Sequence, residues 1–249
     1  MSVGPLGDNL FSIVRREPML VCFWRCNEVA GSPYAYDYGA RYNLNALLDG
    51  SPVPGPGLIQ DDSTSGSYIF GGAGVNAAVP DISALHVTRD ISLEAWVAPY
   101  AAAQSKVIVG KMGSSGSVAG PYSLGLAGGF PSLSLGNGTT QKTVAGPVAP
   151  IVGIPSHIVA TSFRGAMSVY LNGVLVGSGT LGTQAVADEA QSLYIGSIGA
   201  ATGFNGLIGE VALYSGALSA SRVYNHFRVG QQVLLDPGHY RLVRNPVYS

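Results

Sequence analysis

One stretch narrows the choice of fold more than any other: SHIVATSFRGAMSVYLNGVLVGSG, residues 156–179. Met167, Val169 and Leu171 alternate with Ser168, Tyr170 and Asn172, the period of a strand with one face buried. Asn172-Gly173 then supplies two residues that tolerate positive φ, as a two-residue hairpin turn demands, and Val174-Leu175-Val176 returns. An antiparallel hairpin here must find further strands to pair with.

Those strands are legible on both sides. Met19–Cys26, Tyr68–Phe70, Ile91–Val97, Val107–Val109, Tyr122–Ala127, Leu133–Leu135, Leu193–Gly196 and Leu207–Tyr214 each read as extended, with turn residues between them. In Ile91–Val97 the residues Ile91, Leu93, Ala95 and Val97 face one way and Glu94 and Trp96 the other. Asn76 to Pro80 reads as extended and leads on toward Ile91. Two short helices are expected. One near 9–16 is capped by Asp8 or Asn9, carries the stripe Leu10, Ile13, Val14 and stops at Pro18; one near 219–228 is capped by Ser219, with Val223 and Phe227 on its buried face. Residues 49–67 read as a Pro/Gly/Ser loop. About a dozen short strands with few helices make an all-β, antiparallel two-sheet jelly-roll sandwich.

The chain has 249 residues and no break in composition, so one domain with tails is expected: an arm and helix over 1–18, the sandwich over 19–228, and an extension over 229–249 that acts as a docking segment. With a net charge of −1 and no Lys/Arg run, the sequence lacks the electrostatic footprint for nucleic acid. No apolar run is long enough to span a bilayer, and the first twenty residues lack the basic-then-apolar pattern of a secretion signal. Charged residues are only 11%, against about 25% in ordinary globular proteins, which points to a surface that is partly covered in use. Cys22 and Cys26 stand about 13 Å apart on one strand, too far for a disulfide, and read as reduced core residues beside Trp24.

Three segments carry a family resemblance: SLEAWVAP (92–99), the hairpin, and LYIGSIGAATGFNGLIGEVALYSGALSASRV (193–223). In order and spacing they resemble the laminin-G-like, pentraxin-like branch of the concanavalin A-like lectin/glucanase fold, over roughly Leu10 to Phe227. The opening LFSIVRREPMLVCFWRCNE, with Trp24, Arg25 and Glu28, is similar to that of bacterial and phage members. The resemblance implies a binding protein rather than an enzyme. Glycosidases of this fold carry clustered acids on one strand, and no such cluster occurs here; the four histidines are scattered, and no nucleophile, phosphate-loop or zinc motif is present. Glu94 and His157 are expected to be structural.

Two candidate sites follow. Tyr34, Tyr36 and Tyr38 alternate, so an extended backbone would set them on one face; they either pack a long loop or, with Asp37, form a platform on which sugar rings stack. Pentraxin-like relatives bind Ca²⁺ through oxygen ligands, and the resemblance makes Asp188, Glu189 and Gln191 half of such a site. The facing loop near Lys111–Pro121 offers no carboxylate, and Gly209 stands where relatives place an acid. No other cofactor is expected. The function implied is a non-enzymatic virion structural or adhesion protein of a bacteriophage tail, fibre or capsid decoration, assembled in the host cytoplasm. Its partners would be other virion subunits, in a homo-oligomer or hetero-assembly, and host-surface glycan. The alternative is a bacterial surface or secreted carbohydrate-binding adhesion module, outside the cell; a glycoside hydrolase comes third.

Overall fold

A computed structural model describes residues 9–39, 41–60, 62–71, 74–112, 120–198 and 203–231. The expected arm at 1–8 and the extension from 232 onward lie outside the described residues. In chain order the elements are α1 (Leu10–Arg15), β1 (Leu20–Trp24), β2 (Tyr34–Ala35), β3 (Ala46–Asp49), β4 (Val53–Gly55), β5 (Ser67–Gly71) and β6 (Asn76–Val79). A 3-10 turn (Ser83–Leu85) leads to β7 (Ile91–Pro99), β8 (Lys106–Lys111), β9 (Tyr122–Ala127), β10 (Phe130–Gly136) and β11 (Gln141–Ala145). Then come β12 (Ser156–Phe163), β13 (Ala166–Leu171), β14 (Val174–Thr180), β15 (Leu193–Ile195), β16 (Asn205–Tyr214) and α2 (Ala220–Gly230).

These strands form two antiparallel sheets of eight. The first runs β14-β13-β12-β7-β16-β5-β4, with β1 also paired to β16; the second runs β11-β10-β9-β8-β15-β6-β3-β2. The hairpin lies where the sequence puts it: Asn172 and Gly173 take φ of 52° and 77°, and β13 pairs with both β12 and β14. Leu93, Ala95 and Val97 from the first sheet meet Val109, Leu124, Leu133 and Ile195 from the second in one continuous core. Cys22 and Cys26 are free and buried in that core.

Three expectations are corrected. Asn76–Val79 does not run on into the strand at Ile91; it belongs to the second sheet, and β7 is central in the first. The expected loop 49–67 contains β4, an edge strand whose Pro54 has no N–H to offer a further neighbour. Gln141–Ala145 forms an edge strand that the sequence reading passed over, because Gln141, Lys142 and Thr143 are polar and the apolar Val144 and Ala145 are adjacent, leaving no alternation to read.

The outer face of the first sheet is covered. Leu10 and Val14 of α1 and Val223 of α2 pack with Leu58 on Phe23, Trp96, Val159, Tyr170 and Tyr214. Six residues cannot hold a helix in water alone; α1 persists because Asn9 accepts the Ser12 N–H and because burying Leu10 and Val14 contributes about 2 kcal/mol each. Beneath α2 the Glu94 carboxylate is 1% exposed and accepts from His157 Nε2 (2.8 Å), Tyr214 Oη (2.6 Å) and His226 Nδ1 (3.0 Å). His226 also reaches Glu17 at 3.3 Å, just past α1, so one imidazolium ties α2 to both α1 and the sheet. Against the desolvation of burial, the charge of His226 and the hydrogen bonds from His157 and His226 hold Glu94 well below the usual carboxylate range, and His226, facing Glu94 and Glu17, is raised to about 10.

Two predictions follow from this packing. Gly196 has φ +85°, and a Cβ there would land on the Phe70 ring; Gly196→Ala should cost at least about 3 kcal/mol in urea unfolding, and a loss below about 1 kcal/mol would refute the fit. His226 keeps its proton in the folded chain up to about pH 10, whereas the unfolded chain releases it near 6.5. The stability advantage of wild type over His226→Gln should therefore be complete below pH 6.5 and vanish as pH rises through 10, checked by urea midpoints across that range.

Candidate functional site

With helices over the first sheet, the broad face that the described residues leave uncovered is the outer face of the second. Its composition follows from alternation. Val109, Leu124, Leu133 and Ile195 turn inward, so their neighbours along each strand turn outward. Cross-strand partners share a face, and the register links one row across all eight strands: Tyr34, Leu47, Ala78, Tyr194, Gly110, Ser123, Ser134, Thr143. At about 4.8 Å per strand the row is roughly 34 Å long. A second row, Val107, Gly125, Ser132, Ala145, runs beside its hydroxyl-bearing half.

That half is a shallow groove. Added Cβ atoms would come within 2.6 Å of Ser123 Cβ at Gly110 and 2.5 Å of the Lys106 carbonyl at Gly125, so the floor stays low only with glycine. The depression holds about 250 Å³ and is walled by Lys106, Met112, Gln141, Thr143 and Ile198. Ser134 and Thr143 share a hydrogen bond of 2.8 Å across the strands. Among the described residues no carboxylate lines it. A flat floor with hydroxyls along it and tyrosines at intervals suits a ligand that has apolar faces and many hydroxyls.

At the β2 end the expected tyrosines separate. Tyr34 and Tyr36 are exposed with ring centroids 6.5 Å apart, and Ala35 between them is buried. Tyr38 turns away: its ring meets Phe11 of α1 edge-on at 5.7 Å, and its hydroxyl donates to Asn27 at 3.2 Å. The ladder with β3 ends at Ala35 because the chain then crosses to β1, where Asp37 bridges Trp24 and the Tyr38 N–H bonds the Phe23 carbonyl at 2.7 Å. The Asp37 carboxylate accepts the N–H groups of Phe23 (2.9 Å), Gly39 (2.7 Å) and Leu44 (2.9 Å), so Asp37 is a strut of the loop. Glu28 accepts the Tyr36 N–H at 2.8 Å and the Tyr68 hydroxyl at 2.7 Å, fixing Tyr36 against the sandwich.

The calcium candidates lie at one end of the sandwich. Asp188 bonds His86, whose other ring nitrogen faces Asp81 at 3.0 Å; Asp81 also holds the Lys111 ammonium at 2.8 Å, and Lys111 is 1% exposed. Glu189 lies against the Gly138 turn, and the Gln191 N–H bonds the Glu189 carbonyl. The structure thus pairs Asp188 with a histidine rather than gathering oxygens, and among the described residues no three His, Cys, Asp or Glu side chains are placed to hold a metal ion. Much of the facing loop, 113–119, lies outside the described residues. Glu210, next to Gly209 where relatives place an acid, is buried under Arg25 at 2.9 Å, with Asp62 on the same guanidinium at 2.7 Å. Glu94 and Glu210 are each 1% exposed and bring no acid pair to a surface.

Residues 70–224 match the laminin G-type family described as the concanavalin A-like lectin/glucanases superfamily. The chain belongs to that superfamily. No curated protein sequence matches it. Among solved structures, this laminin G-type chain is similar to domain 4 of AbnA, an extracellular arabinanase of Geobacillus stearothermophilus, solved in complex with arabinotriose (20% identity, 83% of this chain and 97% of that one, TM-score 0.62). It is also similar to the binding domain of botulinum neurotoxin DC in complex with SialylT (10% identity, 88% and 52%, TM-score 0.65). A third is the binding domain of Paraclostridial Mosquitocidal Protein 1 (14% identity, 84% and 52%, TM-score 0.65). The chain spans about half the length of these toxin domains. At such identities the likeness is one of fold: a lectin-like jelly roll.

The sequence reading singled out Tyr34 and Tyr36 but passed over Tyr194, Ser123, Ser132, Ser134 and Thr143, which the register sets on the same face as Tyr34. The signal was present in YSLGLA and PSLSL, where small polar residues alternate with leucine. Asp37→Ala, which leaves three backbone donors without their acceptor, should lower stability by about 3 kcal/mol in urea unfolding; a loss under about 1 kcal/mol would show that the loop is held by other contacts.

Proposed function

We propose that this chain is a carbohydrate-binding module, used for attachment at a bacterial surface or in a secreted protein, and that the glycan lies along the free outer face of the second sheet. The observation that carries the reading is the row from Tyr34 to Thr143. Tyrosine faces bury the apolar C–H side of a sugar ring, and the Ser/Thr floor satisfies its hydroxyls. The groove has no carboxylate among the described residues, which supports binding without hydrolysis. Saccharide complexes of two neighbours, the arabinanase domain and the toxin binding domain, support the same ligand class. None of the neighbours named above is a virion protein, and one is described as extracellular, so they favour the surface or secreted setting over the virion expected from the sequence. No helix among the described residues is long and apolar enough to cross a membrane.

A glycan array or an insoluble-polysaccharide pull-down tests this. Wild type should be retained; Tyr34→Ala, Tyr36→Ala and Tyr194→Ala should each weaken binding by roughly 3- to 10-fold. Ser134→Phe, which fills the groove without touching the core, should abolish retention. Retention that none of these four changes alters would remove the face from consideration, and a wild type that retains nothing would remove the reading itself.

A further inference from the structure

The two ends of the sandwich differ in kind. Asp81, His86, Arg89, Asp90, Arg164 and Asp188 gather at one, where β7 begins and β12 gives way to β13. The other end also carries Asp49 on its β3 side and Lys106 at the start of β8; the part of it called the charge-free end below is formed by the loops 99–105, 127–131, 145–155 and 172–175. The register sets these loops side by side, since Pro99 pairs with Gly206, Ser156 with Val97, Leu171 with Val174, and Ser132 with Ala145. Bonds between loops fix them: Gly153 N–H to the Pro99 carbonyl (2.7 Å), Gly129 N–H to that of Gln104 (2.7 Å), and Gly146 N–H to that of Pro131 (3.0 Å). None of the four loops contains Asp, Glu, Lys, Arg or His.

From this charge-free end Tyr100, Phe130, Ile151, Val152, Ile154 and Val174 stand out, with Ile151 69% and Val174 61% exposed. Scattered apolar residues on a surface need no explanation; a contiguous group on hydrogen-bonded loops marks a contact. The course of α2 says what covers it. The helix starts beside Ser92, whose hydroxyl accepts the Leu218 N–H, and its last residue, Gly230, abuts Trp96. Tyr224 and Phe227 border the Gly173 turn. The described chain therefore leaves at Gln231 heading along β7 toward the charge-free end. The eighteen residues that follow, 232–249, read QVLLDPGHYRLVRNPVYS, with two apolar clusters, Val233-Leu234-Leu235 and Leu242-Val243, on either side of an Asp-Pro-Gly turn signal.

We infer that residues 232–249 dock on the charge-free end of the same chain, their two apolar clusters covering Ile151, Val152, Ile154 and Val174. Eighteen residues at up to about 3.3 Å each span that end with length to spare, and tethering at Gln231 gives the segment an effective concentration that a free partner lacks. The inference concerns a different surface from the glycan face and does not depend on it.

The test uses the full chain. Trypsin sites at Arg241 and Arg244 report whether the segment is held, read as C-terminal peptides by mass spectrometry. The exposed pair Ile151→Asp/Val152→Asp should release those peptides at least about tenfold faster than wild type, because cleavage follows the population of the open form. Leu234→Asp/Leu235→Asp should do the same and should also raise hydrogen exchange in loop 145–155. Equal release from wild type and both variants would overturn the inference. Protection lost on dilution would overturn it in favour of a second copy. Flotation of wild type, but not of the Ile151→Asp/Val152→Asp variant, with phosphatidylcholine vesicles would overturn it in favour of a lipid surface.

Discussion

A carboxylate in the middle of a central strand, with no water around it, must find donors or be neutralised. Glu94 of β7 finds three: His157 from the neighbouring strand, Tyr214 from the strand on the other side, and His226 from α2. The third matters most for the architecture. Strand–strand donors would be satisfied by the sheet alone, whereas His226 can reach Glu94 only if α2 lies down on the sheet, and Glu17 then brings the end of α1 to the same ring. Phe227 of α2 meets Trp96 and His157 of the sheet in a cluster of near-parallel rings, with all three centroids 5.0–6.3 Å apart, so the polar clamp is flanked by aromatic faces. The covering of the first sheet's outer face traces back to this buried charge.

Much of this was legible in the residues. The Asn-Gly turn, the alternation in 91–97 and 167–171, and the Ser219 cap each state a local preference that the tertiary structure agrees with, and such agreement is what makes a sequence readable. Glu94 as a structural carboxylate followed from its place opposite Leu93 and Ala95 in a strand with both faces buried. The failures have a common cause. Tyr38 was assigned by period to the face of Tyr34 and Tyr36, but a period holds only along one strand, and after Ala35 the chain passes from β3 to β1, where the Asp37 carboxylate anchors it. β4 and β11 are edge strands rich in proline or polar residues, where pairing is set by the neighbour and not by the strand's own pattern.

The face proposed for glycan was hidden for a different reason. No segment of the sequence contains it: each strand of the second sheet contributes one residue to the row, and residues as distant as Tyr34 and Thr143 become collinear only through the register. Small side chains at these positions carry no motif, and their meaning lies in what they leave open.

The glycine and serine floor also bears on how such a protein changes over time. In a strand, odd and even positions answer to separate demands, one to the core and one to the outside. Ser132, Ser134, Gln141 and Thr143 can therefore be exchanged for other small or polar residues while Leu133, Leu135 and Val144 stay in place beneath them. Descendants of one such scaffold can drift in what they grip while inheriting the same foldedness, because the two properties are written on alternate letters.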